Sequence, residues 1–286
     1  MFLGWDVGIK NLSFCLIDFN EKDKQYKIVD WGIINLVKNH LLPNVQCCET
    51  VKSTGKQCQK SAIYVLKNNS MVGYCKAHAK GKDLETLEEF TGKRKCEICG
   101  KDASRYDDEL DQYLCLKHVP KERKELVEKI SLKASKIPLM QLGKTLYKQL
   151  DLKTNFSKVE YVIIENQPVL KNPTMKSIQM MLYSYFLKKY ISDIEPEKRI
   201  LKDIVLMSAK NKLKIYDGPT LTHVNKIKSQ YAKNKKLAIE HCKYIIEQDC
   251  VDNQWIELFK NSSKKDDLSD AHLMTKYFIM KQNKLI

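Results

Sequence analysis

With 286 residues, 43% of them apolar, the chain is long enough to bury the core of one or two domains and too apolar for a disordered segment. No apolar run approaches the roughly 20 residues of a membrane-spanning helix. The 50 Lys and Arg against 35 Asp and Glu leave a formal charge of +15, which favours a polyanionic partner through counterion release.

Lys greatly outnumbers Arg, a bias toward contact with a nucleic-acid backbone over bidentate reading of bases. The opening MFLGWDVGIK has an acid at position 6 and no basic stretch followed by an apolar one. It is expected to be mature structure, not a secretory signal, in a soluble intracellular protein.

Residues 2–19 predict two short apolar strands joined by a turn at 8–11, where Gly8 supplies the backbone freedom. A third strand is expected over 26–36, completing an antiparallel meander. The character then changes: residues 44–118 hold seven of the ten cysteines and many lysines, with little periodicity, and are expected to be an insertion. From 121 to 151 the spacing of Leu126, Ile130, Ala134 and Ile137, followed by Leu142, Leu146 and Leu150, predicts a helix broken or kinked at Pro138.

VEYVIIENQP predicts a strand buried on both faces, ending in Glu165. Asn172 followed by Pro173 predicts the start of a helix through about 190, with Met180, Met181 and residues 183–186 packing on the sheet. A further buried strand is expected over 203–209. Two helices follow, over 228–248 with Ala238, Cys242 and Ile245 on one side, and over 266–281. The order is α/β, with a main domain of residues 1–43 and 119–286 and an insertion of residues 44–118.

Acids end or adjoin the most apolar of these elements. Asp6 lies in the first strand and Glu165 ends the fourth, while Asp267 and Asp270 are one helical turn apart on a common face. Singly, each has an ordinary explanation as a turn or helix cap, and Asp266, on another face, keeps that role. Together they would be costly to bury without cations. Two Mg²⁺ ions, with Mn²⁺ as a substitute, roughly 3.5–4 Å apart would compensate them and suit hydrolysis of a phosphodiester. Lys210, Lys212, Lys214, Lys264 and Lys265 flank the same element ends and are expected to contact DNA phosphates. His272 stands two residues beyond Asp270 as a weaker candidate for proton transfer.

Cys75-x-x-His78 and Cys115-x-x-His118 share a spacing about 40 residues apart. With Cys48 and Cys58 upstream of the first, and Cys96 and Cys99 upstream of the second, each set makes a closed Cys₃His site for a structural Zn²⁺. Cys47, beside Cys48, is an alternative ligand. Disulfides would need an oxidising compartment, of which the sequence gives no sign. Cys15, Cys242 and Cys250 lie among apolar neighbours and are expected in the core.

DVGIKNL, VIIENQPVLKNPTMKSIQMMLYSYF and KKDDLSDAHLM resemble the successive motifs of RuvC-type Holliday junction resolvases, most closely those of poxviruses and other large DNA viruses of eukaryotes. The resemblance covers residues 1–36 and 150–286. It implies an RNase H-like fold, a mixed five-stranded sheet flanked by helices, and a site of Asp6, Glu165, Asp267 and Asp270 binding two Mg²⁺ ions. It also implies a homodimer making paired symmetric nicks in a four-way DNA junction, acting in the cytoplasm or nucleus of an infected host cell if the protein is viral. The cysteine-rich insertion departs from the minimal family pattern and bears on substrate choice. Other readings are an RNase H-like nuclease on RNA–DNA hybrids or flaps, and a zinc-containing DNA-binding protein without activity. A sugar-kinase-like ATPase would need a second phosphate loop, for which Asp217-Gly218 is poor support.

Overall fold

The computed structural model divides the chain into two units, Met1–Val37 with Pro138–Ile286, and Lys38–Ile137. It describes residues 1–38, 45–51, 53–58, 60–90, 92–130, 134–170, 172–221, 224, 227, 229–249 and 252–286. Cys250 and the expected junction at residues 43 and 44 lie outside them.

The first unit opens with strands β1 (Phe2–Asp6), β2 (Leu12–Asn20) and β3 (Gln25–Ile34). The second unit contributes β4 (Tyr64–Leu66), β5 (Asn69–Tyr74), a one-turn helix α1 (Lys76–Ala79), β6 (Leu87–Glu89), β7 (Arg105–Asp107), β8 (Gln112–Leu114) and β9 (Glu128–Lys129). The chain then returns to the first unit with α2 (Leu139–Asp151), β10 (Tyr161–Glu165), α3 (Pro173–Leu187), β11 (Asp203–Met207), α4 (Gln230–Asp249), α5 (Asn253–Asn261) and α6 (Lys265–Gln282).

In the first unit the strands form one mixed sheet in the order β11-β10-β1-β2-β3. β1, β2 and β3 pair antiparallel, as a meander must, whereas β10 runs parallel to β1 and β11 parallel to β10. This is the mixed five-stranded sheet expected of an RNase H-like fold.

The period of two along a strand decides what each face meets. Leu3 and Trp5 of β1 point to one side, where Trp5 packs against Phe14, Phe156 and Phe186. Phe2, Gly4 and Asp6 point to the other, toward α6. On β10, Ile163 shares that second side with Ala271 and Met274 of α6, so Glu165, two residues on, projects the same way. Two acids thus emerge at the carboxyl ends of adjacent parallel strands, on the face that α6 covers.

Gly4 sets how closely α6 can approach. A Cβ there would lie 1.9 Å from Thr275 Oγ1 and 3.1 Å from the Ala271 carbonyl oxygen. Ser13 Oγ donates to the Asp267 carbonyl at 2.8 Å and Trp31 Nε1 to that of Leu268 at 3.2 Å, fixing the first turn of α6 against β2 and β3. Replacing Gly4 by Ala is expected to lower stability by about 1–3 kcal/mol, the cost of overpacking a filled core. A denaturation midpoint equal to that of the parent protein would show that α6 is not seated through this contact.

Several elements differ from expectation. The helix predicted from 121 is absent before Leu139: 3₁₀ turns occupy Lys121–Arg123 and Ala134–Lys136, and β9 between them pairs with β7. The free edge of β7 outcompetes a helical periodicity that propensity supports only weakly, and residues 119–137 accordingly group with the second unit. α5 was not foreseen; Asp252 caps it by accepting from the Gln254 N–H at 3.0 Å. Asn172 does cap α3, accepting from Met175 N–H at 3.2 Å with Pro173 at the first position. In that helix Tyr185 and Phe186 are buried as expected, together with Ile178 and Leu182, whereas Met180 is exposed. Cys15 and Cys242 are buried.

Candidate active site and metal centres

Asp6, Glu165, Asp267 and Asp270 all line one cleft of about 540 Å³ in the first unit. β1 and β10 supply the first two from their carboxyl ends, where open α/β sheets commonly place ligand sites. The first turns of α6 bring the other two, three residues apart on one face. Gly8, in the turn after β1, is not left-handed; a Cβ there would sit 2.5 Å from the Asn11 carbonyl oxygen, so the turn needs a small residue for space.

The electrostatics follow from this crowding. Burial pushes the Asp6 carboxyl well above the usual range, and a hydrogen bond to Glu165 and the charges of Glu165 and Asp270 push it the same way, against Lys212. Burial likewise raises Asp270, opposed by Lys212, whose Nζ lies 2.5 Å from Asp270 Oδ2. Burial raises Asp267, with Asp266 and Asp270 adding to it. Such a set of oxygen acceptors, held together at a cost and short of positive charge, fits hard divalent cations.

Protons therefore compete with a cation here at a higher pH than at ordinary carboxylates. In the metal-free protein, a raised folded pKa for Asp6 means that its contribution to stability is present at low pH and lost as pH rises through that value. The gain in melting temperature on adding Mg²⁺ is accordingly expected to be largest near neutrality. It should fall away on acidification while pH is still above the ordinary carboxylate range near about 4. A Mg²⁺-induced gain that stays constant down to that range would contradict this account.

Asp266 does not cap α6, whose N-cap is Lys264; it sits in the first turn, also lining the cleft. Burial would raise its carboxyl, but Lys235, with Nζ 2.5 Å from Asp266 Oδ2, holds it below the usual range. Of the five lysines expected to contact DNA, Lys210 and Lys212 line the cleft. Lys214 is exposed outside it, Lys264 lies close enough to influence Asp267, and Lys265 donates to the Ser262 carbonyl at 2.8 Å. Lys235 and Tyr231 line the cleft and were missed, because α4 reads in sequence as a helix with no chemistry of its own. His272 is not in the cleft: it is buried beside Trp31 and Cys242, and burial lowers its ring to about 3, so it is a neutral core residue. A larger cavity of about 740 Å³ involves Tyr26, Asp249, Asp252 and Trp255, but Asp249 is already paired with Lys276 and, among the described residues, Asp252 is the one other acid there.

In the second unit two Cys₃His sets close on themselves. Cys47, Cys58, Cys75 and His78 form one, and Cys96, Cys99, Cys115 and His118 the other, with the ligand atoms of each within 4.8 Å of one another. Cys58 and Cys75 sulfurs are 4.0 Å apart and Cys99 and Cys115 sulfurs 3.9 Å, close to the roughly 3.8 Å edge of a tetrahedron with 2.3 Å Zn–S bonds. The His118 Nδ1 lies 3.4 Å from Cys96 and 3.5 Å from Cys115. Disulfides would need sulfurs at about 2.05 Å. Burial opposes ionisation of Cys96, yet the backbone at Cys115 and the His118 ring outweigh it and bring the thiol down to about 6, toward the thiolate a metal needs.

The Cys48 assignment is corrected to Cys47. This stretch is extended, with Cys47 N–H donating to the Lys60 carbonyl and Cys48 N–H to that of Gly73, so adjacent side chains face opposite ways. Cys47 is buried and Cys48 exposed. The Cys-x-x-His halves of the two sites match: each follows a hairpin, β4–β5 or β7–β8, and Cys75 and Cys115 start their short helices with φ, ψ of −74°, 165° and −80°, 162°.

A family model described as mitochondrial resolvase Ydc2 / RNA splicing MRS1 matches residues 2–249, a span that includes Asp6 and Glu165 and stops before α6. An uncharacterised protein, L451, of Acanthamoeba polyphaga mimivirus is 32% identical over 97% of this chain and 74% of its own length. Among solved structures, the yeast mitochondrial Holliday junction resolvase Ydc2 aligns over 99% of this chain and 81% of its own, with 16% identity and a TM-score of 0.49. The fowlpox virus resolvase, solved with Holliday junction DNA, aligns over 98% of this chain and 97% of its own, with 10% identity and a TM-score of 0.42. No helix among the described residues is long and apolar enough to cross a membrane.

Proposed function

The chain belongs to the family of the mitochondrial resolvase Ydc2 and the RNA splicing protein MRS1, and from that premise we propose that it is a structure-selective Holliday junction resolvase, a nuclease that makes paired nicks in four-way DNA junctions. The observation that carries the reading is the convergence of four acids from β1, β10 and α6 in one cleft, with Lys210, Lys212 and Lys235 beside them.

Asp6, Glu165, Asp267 and Asp270 would hold a pair of Mg²⁺ or Mn²⁺ ions. When bound, such a pair supplies activation of the attacking water and stabilisation of the leaving 3′-oxygen. The chain's own residues do the rest. Lys212, braced by Asp270, and Lys210 offer positive charge to the phosphodiester entering the cleft. Lys235 stays fully charged against Asp266 and extends that field along α4. The two Cys₃His sets would each hold a structural Zn²⁺, since four protein ligands leave no open position for catalysis. A homodimer would present two clefts to the two strands cut, and the mimivirus relative supports action inside an infected cell.

The test is incubation with Mg²⁺ and labelled four-way junctions, flaps, duplexes and RNA–DNA hybrids, beside an Asp267→Asn variant. Paired nicks in opposite strands of the junction, lost in the variant, are the expected result. Cleavage of hybrids alone would make the chain an RNase H-like enzyme. Binding without cleavage would make it a non-catalytic member, a reading favoured by the RNA splicing protein in the family's description.

A further inference from the structure

The first two residues of the loop that leaves β10 are tied down. Asn166 N–H donates to the Met207 carbonyl at 2.9 Å, joining the loop to β11. Gln167 N–H donates to Gln179 Oε1 at 2.8 Å, and Gln179 is a fully buried polar side chain on α3. Lys176 Nζ donates to the same Oε1 at 3.2 Å and to Asn166 Oδ1 at 3.0 Å. Held in this way, Gln167 turns its own amide back on the strand end, and Nε2 donates to Glu165 Oε2 at 2.6 Å.

The atom assignments follow from the partners. A carboxylate beside Gln167 can only accept, so the contacting atom is the amide nitrogen. Two donors meet Gln179, so the atom between them is its oxygen. The Gln179 nitrogen has no partner among the described residues, so the buried amide serves as an acceptor.

From this geometry we propose that Gln167 and Gln179 are a positioning pair that fixes which oxygen of Glu165 faces the cations. Oε2 is engaged by Gln167, which leaves Oε1 for the cations. Without the amide, the Glu165 carboxylate would be held only from the Asp6 side and would turn more easily about its last bond. Outer partners of ligating carboxylates act in this manner, and losing one typically costs about 10–100-fold in metal affinity or activity. The inference rests on the assignment of Glu165 as a metal ligand.

The experiment measures Mn²⁺ binding to the purified full chain without DNA, from the free-ion EPR signal, together with metal-free melting temperature and junction binding. Gln167→Met, close in shape but without a donor, is expected to raise the Mn²⁺ dissociation constant about tenfold or more. Gln179→Met should do the same from a side chain that touches no ligand. Gln179→Glu, which keeps the acceptor, should restore wild-type affinity. Metal-free junction binding should be unchanged in all three. If Gln167→Met does not fold, Gln167→Asn, whose shorter amide cannot span the gap, is read in its place. Wild-type Mn²⁺ affinity in the Gln167 variant overturns the pairing. Glu165→Gln separates the two failures: if it too binds Mn²⁺ normally, the assignment of Glu165 itself is wrong.

Discussion

Asp6→Asn is expected to abolish junction cleavage while the protein still folds and still binds DNA. Burial, Glu165 and Asp270 all disfavour the charge on Asp6, and only Lys212 among the principal influences favours it. The neutral amide removes that repulsion, so the metal-free variant should melt no lower than the parent. It also removes a ligand from the centre of the cleft, and the loss in turnover should be at least on the order of 10²–10³, as for other preorganised stabilisers of transition-state charge. Glu165→Gln and Asp270→Asn should behave alike. The measurement is single-turnover cleavage of a labelled junction, with binding followed separately by gel shift in the absence of divalent metal. Cleavage near the parental rate in the Asp6 variant would remove these acids from the mechanism.

The second large effect concerns the Cys₃His sets. Cys99→Ser is expected to halve the zinc content and unfold the part of the second unit around β7 and β8. Among the described residues, the cluster around Cys96 and Cys115 is small: Ala103 and Leu114 are buried, and Tyr113, Val119 and Ile130 are partly buried against them, a modest apolar core for a hairpin without the metal. Structural zinc contributes apparent binding energies of about 10–16 kcal/mol in small domains of this kind, far more than such a cluster. Zinc measured by atomic absorption, and protection of the 96–118 segment from proteolysis, report the outcome. Full zinc occupancy in the variant would show that these ligands do not form a site. The five-stranded sheet has its own core, so Asp6, Glu165 and α6 should keep their protection from hydrogen exchange.

Much of this was legible in the sequence because the informative features are local. An apolar run ending in an acid marks β10 and Glu165; two acids three residues apart on a helix must share a face; Cys-x-x-His fixes two ligands on one turn. What was not legible depends on partners distant in sequence. Residues 121–137 carry a helical spacing, yet the edge of β7 captures Glu128 and Lys129 into a strand. The ambiguity between Cys47 and Cys48 is one of facing, decided by hydrogen bonds to Lys60 and Gly73 on two separate segments. Lys212 reads as one of several basic residues, and only the fold brings it against Asp270. His272, two residues from Asp270, looked placed for proton transfer, but helical geometry turns it into the core.

Ser13 and the Asp267 carbonyl that it binds are 254 residues apart in sequence. A chain emerging from the ribosome therefore carries Asp6, and later Glu165, long before α6 exists to complete the cleft. Until α6 is made, the nascent protein holds at most two of the four acids. The Cys₃His hairpins, whose contacts are local, are complete well before that. On the proposed function, a product terminated before α6 lacks Asp267 and Asp270 and is expected not to cleave DNA.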